Sequence, residues 1–174
     1  MKGKIIGMVF TVIALAAGCK SDNDDETLNV IKFNDGQLTL YRGYSYKYSD
    51  ALETGTTPFV VALLGEGVSY STDAGTFIGT GALIGAYFYS ENPAEIKNGL
   101  YTIDIFSQKD TFSVDSCKIY YNYNFDQDTG KVYAINAGTF DVLNLGRLMS
   151  YKIDLQTADL VHFIGEFKGT VDPL

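Results

Sequence analysis

Histidine occurs once in this chain, at His162, which excludes any site that needs two imidazoles, as most catalytic zinc centres do. Tryptophan is absent, and with only 3 prolines no Pro-rich break divides the sequence into separate domains. Basic residues are scarce: 13 Lys and Arg stand against 21 Asp and Glu, a net charge of −8, and no basic cluster exists. Binding to nucleic acid phosphates requires such a cluster, so nucleic acid is not expected as a partner. Long apolar runs are lacking too. The longest, Ile5 to Ala17, has 13 residues and is relieved by Gly7 and Thr11; a membrane-spanning helix needs about 20. No Gly-x-Ser-x-Gly elbow, phosphate loop or dinucleotide fingerprint is present, and Gly79-Thr80-Gly81 lacks both a third glycine and a following helix. Nothing in the sequence implies a cofactor.

What the N-terminus does contain is ordered. Lys2 and Lys4 precede the apolar run, and Leu15-Ala16-Ala17-Gly18-Cys19 follows it with small residues and a thiol. A charged head, an apolar middle and small residues at the end read as a cleaved export signal over residues 1–18. The stretch resembles the lipobox of bacterial lipoproteins, which implies that the Cys19 thiol receives a diacylglyceryl group. An ordinary secretory signal with an incidental cysteine is the alternative. Residues 19–27, with Lys20-Ser21-Asp22-Asn23-Asp24-Asp25-Glu26, carry too little apolar area to offset ordering entropy and read as a flexible acidic tether. That run also resembles the acidic export signal of surface lipoproteins of the Bacteroidetes type, and a merely solvated linker would look the same. Loss of Lys2 and Lys4 leaves 11 basic residues against 21 acidic ones. An acidic protein is not drawn to anionic lipid, so attachment would rest on acyl chains.

From residue 28 to residue 174 the pattern is β. Tyr (13), Phe (11) and Gly (18) are abundant, and no segment has apolar residues at helical spacing. The turn signals separate nine expected strands: Leu28–Phe33, Gln37–Tyr48, Phe59–Leu64, Thr76–Ser90, Leu100–Phe106, Ser116–Asn124, Lys131–Leu143, Met149–Leu155 and Val161–Val171. Short loops favour sequential neighbours. The expectation is therefore an all-β, single antiparallel domain, a β-sandwich or flattened barrel, with mostly sequential strand order. Asn34-Asp35-Gly36 and Asp126-Gln127-Asp128-Thr129-Gly130 have hairpin chemistry. Glu91 to Asn98 is the one place for a helical turn, with Asn92 as cap and Pro93 in the first position. Met149, Tyr151, Ile153 and Leu155 alternate with Ser150, Lys152 and Asp154, one face for the core and one for water. Phe77 to Tyr89 is apolar on both faces and reads as a central strand bent at its glycines. Cys117, alternating with Ile119, Tyr121 and Tyr123, reads as a buried, inert thiol. Glycines alternating with Phe163 and Phe167 suggest close backbone approach. This ending and Asn98-Gly99-Leu100-Tyr101-Thr102 resemble small Bacteroidetes lipoproteins with an all-β domain of unknown function.

Candidate sites are few. Asp126, Asp128 and Gly130 make a fragment of a calcium loop without its remaining ligands, better explained as a turn, so no metal site is expected. His162 on a strand reads as outward and solvated. Glu53, Glu66, Glu91 and Asp110 fall in loops, where a pair of carboxylates could serve a hydrolase. Tyr44, Tyr46 and Tyr48 share one strand face at about 7 Å spacing. Since Ser45 and Lys47 occupy the other face, the rings are expected to line the core. If the strand instead runs past the core before Pro58, Tyr46 and Tyr48 become an exposed surface for stacking sugar. The functional expectation is a lipid-anchored protein of the outer membrane, displayed at the cell surface, with a non-catalytic binding or accessory role toward glycan or an envelope protein. A small hydrolase using loop carboxylates is the rival.

Overall fold

A computed structural model describes residues 29–34, 36–106, 108–146 and 148–174. Cys19, the signal segment 1–18 and the tether 19–27 lie outside the described residues, as do Leu28 and Asp35. Eleven strands and no helix are found among the described residues. They are β1 (Val30–Phe33), β2 (Gly36–Lys47), β3 (Thr57–Gly65), β4 (Val68–Ser71), β5 (Thr76–Ser90) and β6 (Gly99–Ile103), then β7 (Ser113–Asn124), β8 (Thr129–Asn144), β9 (Met149–Thr157), β10 (His162–Gly169) and β11 (Val171–Pro173).

All eleven join one sheet in the order β1-β10-β9-β8-β6-β7-β5-β3-β2-β11, with β4 attached to β5. Because β1 also bonds β2, the pairing path returns to its start. The all-β expectation holds, but a simply sequential antiparallel order does not. β6 lies between β8 and β7 and runs parallel to β7, and β11 runs parallel to β2. β7 and β8 are a hairpin at one end, bonded through Lys118 and Ala134, and part at the other end to admit β6. Short loops made neighbours of most consecutive strands; they could not reveal one strand inserted between two others.

The inner faces meet in one core. Tyr101, Tyr151, Phe88, Phe140, Phe163 and Phe167 are its largest fully buried side chains, and Ile31, Leu40, Leu63, Ile84 and Ile119 fill the space between them. Phe88 packs edge-on against Tyr101, Phe140 and Tyr151 at centroid distances of 5.1 to 5.9 Å, the arrangement that ring quadrupoles favour. Met149, Tyr151, Ile153 and Leu155 enter the core as their alternation requires. Ser150, on the outer side, is nonetheless covered and donates to Glu166 at 2.7 Å. Cys117 is buried, and desolvation holds its thiol well above the ordinary range. Gly165 permits the close approach expected near the C-terminus: a Cβ there would stand 2.1 Å from the Val30 carbonyl oxygen.

Two further expectations change. The segment Glu91–Asn98 forms no helix, because side chains satisfy its backbone first. Ser90 donates its hydroxyl to the Glu95 carbonyl and accepts from the Asn92 N–H, while Asn92 Oδ1 accepts from the Ala94 N–H. The segment Val68–Ser71, too short to stand out as a strand, pairs with the first part of β5. Gly79 and Gly81 make room for the turn that leads from β3 into β4, since a Cβ on Gly79 would meet the Gly67 carbonyl oxygen at 2.1 Å and one on Gly81 the Glu66 carbonyl oxygen at 2.3 Å.

Candidate functional site

The strand β2 decides where the tyrosine ladder points. Leu38 and Leu40 face the core, and continued alternation would turn residues 42, 44 and 46 inward after them. The register against β3 instead shifts between Leu40 and Arg42. An extra residue of this kind reverses which positions face inward beyond it. Gly43 then becomes the buried position, with Val171 of β11 so close that a Cβ would meet it at 2.7 Å. Tyr44 and Tyr46 turn outward and are half-buried; Tyr48 follows them and is 59% exposed. The ladder does not line the main core.

Its members Tyr44 and Tyr46 line a cleft of about 750 Å³ on the outer face of β2, β3, β5 and β7, and Tyr48 lies beyond that lining. Across these strands one row of paired positions reads Tyr44, Ala62, Gly85, Lys118, and the next reads Tyr46, Val60, Tyr87. Small side chains make the floor and large ones the walls. The β4–β5 hairpin and the end of β7 supply the remaining rings: Tyr44 neighbours Tyr70 at 6.1 Å, Tyr70 neighbours Phe77 at 5.3 Å, Phe77 neighbours Phe125 at 6.2 Å, and Phe125 neighbours Tyr120 at 5.4 Å. At the other end Tyr48 stands edge-on to Tyr87 at 5.5 Å. Ala62, Leu64 and Leu83 beneath these rings form a second, smaller apolar cluster, separate from the main core.

The cleft is aromatic but not featureless. Desolvation, and then the nearby Tyr87, Tyr48 and Tyr70 hydroxyls, raise the Tyr46 pKa; desolvation followed by the Asp128 charge raises that of Tyr120. These phenols remain neutral hydrogen-bonding groups at any ordinary pH. Thr76 and Ser116 add hydroxyls, and Lys47 and Lys118 add cations, whereas no Asp or Glu lines the space. The arrangement offers flat apolar faces edged with hydroxyls, suited to a ring-shaped ligand that is apolar on its face and polar at its rim.

The other sequence candidates are not brought together. Glu53, Glu66, Glu91 and Asp110 are exposed and none lines the cleft; Glu91 is paired with Lys97. Asp126 accepts from the Gly79 N–H at 3.1 Å and Asp128 accepts from the Tyr123 hydroxyl, so both carboxylates serve the β7–β8 turn. His162 faces outward and shares a 2.6 Å hydrogen bond with Asp154. Of the cleft, sequence reasoning singled out only the tyrosines of β2. Phe77 and Tyr87 were read as part of a central strand apolar on both faces, and Tyr70, Tyr120, Phe125 and Lys118 carried no site signal, because strands distant in sequence deliver them. Comparison with protein-family models, curated proteins and solved structures found no match.

Proposed function

We propose that this chain is a lipid-anchored protein of the outer membrane surface with a non-catalytic binding role, and that its ligand is a glycan taken in the aromatic cleft. The observation that carries the reading is the row of outward tyrosines on a floor of Ala62, Gly85 and Val60. A protein gains little by holding so many rings at its surface unless something covers them. Sugar rings present apolar faces to stack on such rings and hydroxyls to meet phenols. The scattered loop carboxylates favour binding over the rival hydrolase, which needs two of them across one bond. The sheet is read as a flattened barrel, since β1 is bonded on both sides. For the anchor, the support is Leu15 to Cys19 at the end of the apolar run.

A glycan array probed with the detergent-solubilised full chain tests the ligand. Binding should fall at least about tenfold in Tyr46→Ala and Tyr48→Ala, a loss of about 1.4 kcal/mol each, while the melting temperature stays nearly unchanged. Retained binding in both variants rules out the cleft. A blank array alongside a stable complex with an envelope protein replaces glycan with that partner. Turnover of a bound glycan, lost on replacing one loop carboxylate, would establish the hydrolase. Anchoring is tested separately: Cys19→Ala should move the chain out of the detergent phase, and an unchanged partition would remove the lipid.

A further inference from the structure

We infer that the glycan taken by the cleft is acidic, with a uronate carboxylate held by Lys118; this rests on the glycan reading above. Lys118 stands on β7 in the row that runs from Tyr44 across the floor, and its neighbours on the flanking strands are Gly85 and Ala134. Neither has a side chain that could accept from an ammonium. Lys118 takes part in no ion pair among the described residues, whereas the cleft's other cation, Lys47, is bonded to Asp50 at 3.0 Å. Lys118 is exposed, as are other described lysines without an ion pair, and what sets it apart is its place in the lining of the cleft. In a chain with 21 acidic residues against 13 basic ones, no Asp or Glu side chain lines the cleft. Asp115 and Asp128 stand just beyond its ends, and each already accepts a tyrosine hydroxyl, from Tyr89 at 3.3 Å and from Tyr123.

An exposed ammonium in the lining of an aromatic cleft, with no ion-pair partner, is complementary to an anion. A neutral saccharide filling the cleft would take water from Lys118 and return only a hydroxyl. A cationic ligand would meet both lysines and no acidic side chain. A uronic acid combines the two things the walls provide for, a ring to stack and one carboxylate at its edge. A highly charged polyanion fits less well, since the lining of the cleft offers only one ammonium without an ion-pair partner and the chain as a whole is negative.

The test is calorimetric titration of the detergent-solubilised full chain with oligosaccharides of galacturonate, mannuronate and glucuronate, each beside its methyl ester, which removes the charge and keeps the ring. At low salt at least one acid form should bind about tenfold more tightly than its ester, the size of one charge-assisted hydrogen bond. The ratio should shrink at about 1 M salt, where screening acts within about 3 Å. Lys118→Ala should bring acid and ester to parity and Lys118→Arg should keep them apart; Tyr46→Ala should weaken both forms together. Esters that bind as well as acids, or a preference that survives Lys118→Ala, overturn the acidic ligand and leave glycan binding standing. Silence of all six probes overturns the acidic ligand, and a glycan array that is blank as well overturns the glycan reading with it.

Discussion

The two halves of the sheet turn very different outer faces to solvent. On β8, β9 and β10 the outward positions include a charged set, with Lys152 between Asp141 and Glu166 in the register and Asp154 bonded to His162, and the exposed apolar residues there, Val132, Leu143 and Ile164, are aliphatic and not aromatic. On β2, β3, β5 and β7 the corresponding positions are Tyr44, Tyr46, Val60, Ala62, Leu83, Tyr87 and Tyr120. The inner faces show no such contrast, since both halves contribute fully buried aromatic and aliphatic residues to one core. The needs of the core therefore cannot explain the aromatic outer face. A solvated charged face is what an antiparallel sheet shows when its outside has only to stay soluble, and the β8–β10 half meets that description.

The sharpest way to break this comparison uses two consecutive residues of β5. Phe88 points inward and is fully buried, and Phe88→Ala should cost about 3–5 kcal/mol of stability in chemical denaturation. Tyr87 points into the cleft, and Tyr87→Ala should cost no more than about 1 kcal/mol while weakening ligand binding. Equal losses would make the cleft a second structural core. A pH titration comes next. Burial pushes Tyr101 to about 12, and burial followed by the Asp115 charge does the same for Tyr89. The folded chain thus keeps protons that an unfolded one releases from pH 10 upward. Stability contributed by these two groups should be complete below pH 10 and decline as pH rises toward 12, as denaturation midpoints would show; a flat profile contradicts their burial.

Closure of the pairing path depends on Gly165, where a Cβ would strike the Val30 carbonyl. Gly165→Ala should cost about 1–3 kcal/mol and speed amide exchange in β1 first; protection lost evenly throughout would mean that β1 and β10 do not part separately. The smallest effect belongs to the charged face. His162 and Asp154 are largely solvent-exposed, so Asp154→Asn should change stability by less than about 1 kcal/mol. A larger loss would show that this face, too, is structural.

Legibility followed the range of the forces involved. The strand Thr76–Ser90 was readable from its long apolar stretch between turn residues, and the inward set Met149, Tyr151, Ile153 and Leu155 because alternation along one strand reports directly on burial. Buried Cys117 and the tight approach at Gly165 followed from the same local pattern. The helical turn at Glu91–Asn98 failed because Ser90 and Asn92 bond the backbone in ways that a cap residue and a proline do not foretell.

By itself the sequence determined the all-β character, the positions of most strands and the core side of β9. These depend on side-chain alternation and turn residues within a few positions of one another. Tertiary structure alone decided that β6 enters between β7 and β8, that the shift at Leu40 and Arg42 turns the tyrosines outward, and that Lys118 faces them across a floor of alanine and glycine. Each of these depends on which strand lies beside which, and that is settled by packing between residues far apart in the chain. One residue of register is enough to move a whole ladder from core to surface.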